Sequence, residues 1–429
     1  MPPVDVIVVG AGVAGLTAAA DLAPHVASVT LLESSDRIGG RVHTIFPAEA
    51  NGPIELGAEF VHGTPEPFTA FLNERNLTLE EMDGRMLRSD NGQLTSGGDF
   101  FPRVMELLGS LRDSGADRTF AEFLSTDGQR FDEETRRSAA EYVSGFHAAD
   151  PARVSEHAIA KSTKTGAREH SDDAFRLVRG YEQVVDALAA SLPKNVQLLR
   201  RKQVMLIDWR KHHVSVRCAD GSNYSAESAI ITVPLPIWDR ITFAPELAHK
   251  RAALEKLAMG PVLRISLAFT QSWWHEVQQG KARDLSFLFS HHKLLPTWWS
   301  GLKSQPALLT GWSAAHRATE LSQLSAEAIC NAAITALADN FAVSRQEIEP
   351  LLYGYWTHNW QTDPHILGCY SYTLKGGSAA PRELAAPVDS TIFVAGEATD
   401  FTGDNGTVHA AFNSGRRAAR ELLDAQKES

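Results

Sequence analysis

Hydrophobic positions along the chain follow two alternating patterns. Residues 4–9 are almost all apolar and β-branched, the pattern of a parallel strand covered on both faces. A glycine turn follows, then helical apolar spacing over residues 13–22 and a second apolar run over 28–33, which together predict a βαβ unit. From about residue 64 to 174 the spacing turns helical and charged, as in 101–113 and 132–146, and predicts a mostly helical insertion. Strand character returns at 196–199, 204–209, 213–218 and 228–233. Residues 250–368 mix the two, with strands expected at 263–269, 307–312 and 351–356 and two helices within 314–341. A short buried strand at 390–395, a glycine-rich turn and a helix over 408–425 close the chain.

This alternation predicts an α/β protein of two domains, each assembled from discontinuous pieces. A Rossmann dinucleotide-binding domain is expected from residues 1–72, 175–249 and 369–429. An α+β substrate-binding domain, part helical insertion and part mixed sheet, is expected from 73–174 and 250–368. The length of 429 residues and a hydrophobic fraction of 43% supply enough core for both. A net charge of −11 disfavours nucleic acid as a partner and mildly favours cationic substrates. Cys218, Cys330 and Cys369 are scattered, without metal-ligand or disulfide spacing, so no metal is expected. With no signal-peptide pattern and no apolar run long enough for a membrane span, the expectation is a cytoplasmic protein.

The chemistry begins at Gly10-Ala11-Gly12-Val13-Ala14-Gly15, a GxGxxG between strand and helix. Its glycines permit a tight turn, close approach of a pyrophosphate and close helix–strand packing, while the helix N-terminus offers N–H groups to phosphate. Glu33, about twenty residues on, is placed to accept hydrogen bonds from a ribose. With Ser34 beside it, it marks the nucleoside end of the site.

Further segments carry a resemblance. Asp36-Arg37-Ile38-Gly39-Gly40-Arg41 resembles the Gly-Gly-Arg segment of flavin enzymes with a glutathione-reductase-like fold, and Phe393-Val394-Ala395-Gly396-Glu397 with Asn405-Gly406-Thr407-Val408-His409 resembles their C-terminal FAD motif. The resemblance implies FAD as cofactor. Glu397 is implied near its ribityl–pyrophosphate region, and the helix start at Thr407 and Val408 near the flavin N1–C2 carbonyl. Residues 54–63, with Gly57, Ala58, Glu59 and His62, resemble the polyamine oxidase segment that passes over the flavin. Trp360 and Gly368-Cys369-Tyr370-Ser371-Tyr372 resemble a stretch shared by monoamine oxidases, polyamine oxidases and lysine-specific histone demethylases.

The resemblance to flavin amine oxidases implies Tyr370 as a substrate-cage ring, a small opposite wall at Gly406-Thr407, Trp360 packed on the flavin and Val204 among the cofactor contacts. It implies His62 and Glu59 in the pocket, with Glu59 attracting a cationic amine. Cys369 falls where monoamine oxidases bond covalently to FAD, but the following Tyr-Ser-Tyr is more like the non-covalent group. Where the family carries a lysine near flavin N5, this chain has Arg264, either a fixed cation at the flavin or a residue turned away to pair with a carboxylate.

The expected reaction is oxidation of an amine C–N bond: hydride to flavin N5, hydrolysis of the imine, and O2 reduced to hydrogen peroxide. The amine is expected to be a polyamine, a secondary amine or a monoamine. The alternatives are an L-amino acid oxidase, another flavin oxidase or dehydrogenase, and a flavin-bearing binding protein with little turnover.

Overall fold

The computed structural model describes residues 5–97, 100–169 and 173–427, leaving aside the side chains of Phe100 and Glu169. Val4, where the first strand was expected to start, lies outside these residues. Strand β1 (Asp5–Val9), helix α1 (Val13–Leu22) and strand β2 (Ser28–Leu32) form the opening βαβ unit. Four of the five β1 residues are buried, because helices cover one face of the sheet and a second sheet covers the other.

β1 and β2 sit within a five-stranded parallel sheet whose order is Val196–Leu199, β2, β1, Ser228–Ile231, Ile392–Val394. Its middle strand therefore pairs with chain some two hundred residues away, and its edge strand comes from the C-terminal region. The C-terminal helix Val408–Lys427 packs against α1, with Phe412, Ala418, Ala419 and Leu422 entering the same core as Leu16, Ala18 and Leu22. The helices approach so closely that a Cβ on Gly415 would stand 2.3 Å from the Ala14 carbonyl oxygen. On the other face, Ile7, Val9 and Leu32 share a core with Ile207, Trp209, Val214 and Val216 of a four-stranded sheet.

The rest of the chain builds a seven-stranded mixed sheet in the order Leu352–Thr357, Val262–Phe269, Leu308–Ala314, Thr297–Ser300, Leu285–Ser290, Arg85–Asp90, Gln93–Ser96. All eight residues of Val262–Phe269 are buried, including Arg264. Helix Ala326–Phe341 covers the sheet through Ile329, Ala333 and Leu337.

The structure adds strands to those the sequence predicts. The stretch 64–174 does hold helices, among them Glu133–Phe146 and Glu156–Glu169. It also holds the strands Leu79–Glu81, Arg85–Asp90 and Gln93–Ser96. The last two are joined by Asn91-Gly92, with φ of 47° and 82°, the two-residue turn that suits a hairpin. Their charged sequence hid them, since an edge hairpin shows alternate residues to water. The strands Leu257–Gly260, Leu285–Ser290 and Thr297–Ser300 were likewise not anticipated. Among the described residues no helix is long and apolar enough to cross a membrane.

Candidate active site

One cavity of about 1180 Å³ runs between the two sheets. It exceeds the roughly 300–1,000 Å³ of ordinary small-ligand clefts, so a dinucleotide with a substrate beside it is within its capacity. Its wall includes Gly10, Gly12, Val13, Ala14, Glu33, Ser34, Arg37, Gly39, Gly40, Arg41 and Val204. Gly57, Ala58, Glu59, His62, Arg264, Trp360, Cys369, Tyr370, Gly396, Glu397, Gly406, Thr407 and Val408 line it too. Gly15 alone of the anticipated residues stands behind the wall. A Cβ there would lie 1.9 Å from the Gly10 carbonyl oxygen, so its work is helix–strand contact.

The glycine turn fits a phosphate. α1 begins after Gly12 with no side-chain cap and no acidic residue in its first turn, so its leading N–H groups face the cavity. Gly39 N–H donates to the Ala11 carbonyl at 2.8 Å, laying the second glycine pair against the first. Glu33 receives Ala11 N–H and Ser35 N–H, both at 2.8 Å, which fixes its carboxylate at the end of β2 with acceptor capacity left over.

At the other chain end Glu397 acts as a clamp. Its carboxylate accepts from Arg41 Nη1 (2.7 Å), Ser371 Oγ (2.7 Å) and Gly406 N–H (2.8 Å). It thereby binds three distant segments together. Thr407 lines the cavity and caps the last helix, its hydroxyl accepting from Ala410 N–H at 3.1 Å. Asn405 does not cap that helix; its amide donates to the Ser371 carbonyl at 2.8 Å. Tyr370 is held by its phenol, which donates to the Phe146 carbonyl at 2.8 Å, and burial pushes that phenol's pKa well up. Gly406 leaves room for the ring, since a Cβ there would be 3.1 Å from Tyr370 Cδ2. Cys369 is buried, and desolvation raises its thiol to about 12.

Trp360 lies in the loop after Leu352–Thr357, rather than in a strand, with its indole N–H donating to the Leu56 carbonyl at 2.7 Å. The Arg37 guanidinium stands 5.5 Å from its ring centroid. His62 ends the strand Phe60–His62, its ring edge-on to Phe146 at 5.5 Å.

Glu59 and Arg264 pair with each other, a carboxylate partner being one of the two courses expected for Arg264. Arg264 Nη2 donates to Glu59 Oε2 at 2.5 Å and Nη1 to the Gly57 carbonyl at 3.0 Å. Arg176 Nη1 lies 3.5 Å from the other Glu59 oxygen, and Trp299 Nε1 donates to both oxygens at 3.1 Å. The three side chains are only 4–10% exposed. Arg264 is therefore no lone cation, and Glu59 no free carboxylate for an amine. Each compensates the other in a site too dry to leave either alone.

Aromatic rings extend the cavity beyond this pair. Phe60, Phe287, Trp299 and Trp312 stand within 5.3–6.2 Å of one another in successive pairs. Tyr142 and Phe146 stack at 5.2 Å and line the same space. These rings, and the partner Arg176, were missed from sequence. The Phe287/Phe289 alternation was the one available signal, since residues two apart on a strand share a face.

The sequence matches the family described as flavin containing amine oxidoreductase over residues 13–128 and 100–423, nearly the whole chain. This chain belongs to that family. It is a flavin-dependent amine oxidoreductase with an α/β fold of mixed sheets, and the cradle described above accords with its FAD. Among its relatives, probable polyamine oxidase 4 of Arabidopsis thaliana is 29% identical over 97% of this chain and 86% of its own length. Lysine-specific histone demethylase 2 of Homo sapiens is 27% identical over 97% of this chain and 53% of its own length. A putrescine oxidase bound to putrescine shares the fold with a TM-score of 0.83, at 20% identity, covering 99% of both chains. The cyclohexylamine oxidase of Brevibacterium oxydans does so at 0.82 and 21% identity, over 99% of this chain and all of its own.

Proposed function

We propose that the enzyme oxidises the C–N bond of a primary or secondary aliphatic amine to an imine, which water hydrolyses, with O2 reduced to hydrogen peroxide in the cytoplasm. The observation that carries this reading is the continuity of one cavity from the uncapped start of α1 to the aromatic channel beyond Tyr370. The relatives named polyamine oxidases and the putrescine-bound neighbour support an aliphatic amine.

Residues 1–72, 175–249 and 369–429 form the FAD domain, of glutathione-reductase type, and the remainder forms the substrate domain. The parallel sheet drawn from both chain ends supports this division. The start of α1 and Arg41 receive the pyrophosphate, and Glu33 with Ser34 the ribose. When bound, FAD supplies the acceptor for the hydride of the amine α-carbon and returns the electrons to O2. Tyr370, tethered to Phe146, keeps its ring upright so that a neutral amine nitrogen lies along it. Trp360, Phe60 and Trp299 exclude water from the reacting carbon. The Glu59–Arg264 pair holds Gly57 and Trp299, and so shapes the floor of the pocket. His62 lines the pocket beside Phe146.

Anaerobic mixing with aliphatic amines is expected to bleach the flavin absorbance, and admission of air to restore it with stoichiometric peroxide. Holoprotein that stays yellow with every amine would exclude the reaction. A non-covalent hold on FAD is the reading favoured here, since Cys369 is buried and desolvation raises its thiol pKa, which disfavours the nucleophilic thiolate. Acid precipitation is accordingly expected to leave the yellow colour in solution; a yellow pellet would point to a bond through Cys369.

A further inference from the structure

The helix Glu133–Phe146 ends at the cavity, and its last carbonyls hold two of the cavity's rings. Tyr370 Oη donates to the Phe146 carbonyl at 2.8 Å and Trp312 Nε1 to the Gly145 carbonyl at 3.0 Å. Carbonyls in a last turn have no partner within their own helix, so side chains from elsewhere complete them. His147 follows as the C-cap, its N–H returning to the Val143 carbonyl at 3.2 Å. The peptide unit that receives the Tyr370 phenol is thus the one that leads into His147.

His147 lines the same cavity. The rings of Phe146 and Tyr142 meet its imidazole edge-on, with centroids at 5.3 and 6.0 Å. The next residue, Ala148, is buried with Trp360 and Cys369, and Trp312 and Tyr370 pack against that cluster. Burial pushes the His147 pKa down to about 4, and no charged group or hydrogen bond among the described residues offsets it. Near neutral pH the ring is therefore uncharged, one nitrogen carrying a proton and the other a lone pair. The donors nearby are already engaged: the Tyr370 phenol with Phe146, and the indoles of Trp299, Trp312 and Trp360 with Glu59, Gly145 and Leu56. The imidazole is left to pair with whatever enters the cavity.

We infer that His147 is a specificity-determining residue, its unprotonated nitrogen accepting the N–H of the substrate amine and so selecting primary and secondary over tertiary amines. This rests on the reading of the cavity as the amine site. When hydride leaves the α-carbon, the nitrogen lone pair must be free to form the C=N bond. The N–H is then the handle left for the protein. A neutral primary or secondary amine offers one, and a neutral tertiary amine offers none. A tertiary amine meets His147 only by accepting from the ring N–H, which occupies the lone pair the reaction needs. A carboxylate in this place would hold the ammonium form, whose lone pair is already taken by a proton. An uncharged imidazole does not, and Glu59 is committed to Arg264.

The test compares, on the holoenzyme, an unbranched alkylamine with its N-methyl and N,N-dimethyl derivatives. The N-methyl compound is expected to exceed the N,N-dimethyl one in kcat/KM by about tenfold or more, the advantage of one satisfied hydrogen bond over an unmade one. In His147→Leu that ratio should fall about tenfold, and His147→Gln, whose amide oxygen also accepts, should restore part of it. Taking the ratio within one variant removes any general loss of folded protein. A tert-alkylamine has N–H groups but no hydrogen on its α-carbon, so it binds without reacting. Its Kd, read from the flavin absorbance, should rise about tenfold in His147→Leu and recover in part in His147→Gln. A tertiary amine as good as the secondary one in the unaltered enzyme, or a ratio or Kd unchanged in His147→Leu, would overturn the inference while leaving amine oxidation intact. Flavin bleached by none of the three oxidisable amines would instead remove amine oxidation, and the inference with it.

Discussion

Glu59 lies 205 residues from Arg264 in sequence and touches it in space, and its removal tests the buried charge balance most directly. Glu59→Gln leaves the Arg264 guanidinium, on a side chain only 4% exposed, without a counter-charge, and leaves Arg176 with only Glu80, 4.0 Å away. A loss of about 3–5 kcal/mol is expected in urea unfolding of the holoprotein. Glu55 poses the reverse case. It is fully buried, accepts from Tyr181 N–H and Thr44 Oγ1, both at 2.7 Å, and desolvation lifts its pKa to about 8. The folded protein therefore keeps a proton that the unfolded chain releases near 4.5. The stability this gives is complete below that value and is lost as pH rises towards about 8. Glu55→Gln, which mimics the protonated form, is expected to flatten that part of the stability–pH curve and to raise stability at pH 8. An unchanged slope would place the titration elsewhere. These pairings could not be read from the sequence, because each joins residues from unrelated segments. The sequence offered residue types at motif positions. It did not say that Arg264 turns to Glu59 or that Thr407 caps its own helix.

Elements were legible where their pattern was pure. The all-apolar β1, the helices of 314–341 and the last helix are close to what periodicity predicts. The charged hairpin around Asn91-Gly92 was not, although its turn dipeptide is a hairpin signal, because the surrounding helical spacing drew the reading. Contact between elements was also invisible. Gly415 looks like an ordinary helical glycine, unfavourable by about 1 kcal/mol relative to alanine. In the fold it is the point where the last helix meets α1. Gly415→Ala is therefore expected to destabilise by about 1–3 kcal/mol, despite the better helix propensity of alanine. A lowered Tm and faster loss of flavin on dilution would bear this out; a raised Tm would mean that the helices can part without cost.

At the scale of the molecule, the cofactor cradle belongs to no single stretch of chain. The glycine turns come from the beginning, the Glu397 clamp and the final helix from the other extreme, and the aromatic channel from the middle. The motifs at both extremes were legible, since close backbone approach admits few residues. The channel was not, because many apolar side chains serve equally well as wall. A chain stopped before Asn405 retains the whole GxGxxG unit but lacks the helix that packs on α1 and the Gly406 contact with Glu397. Such a protein is expected to be colourless after purification with excess FAD, and a yellow one would show that the N-terminal turn suffices.

The edge strand Ile392–Val394 enters the parallel sheet only after the whole stretch between it and β1 has been synthesised. At about 5–20 residues per second, β1 waits on the order of 20–80 s for the sheet to be completed. During that interval the ribosome carries a half-built nucleotide fold with an open edge. Capture of the cofactor therefore follows the arrival of that strand, and scarcity of flavin acts on a chain whose parallel sheet is already closed.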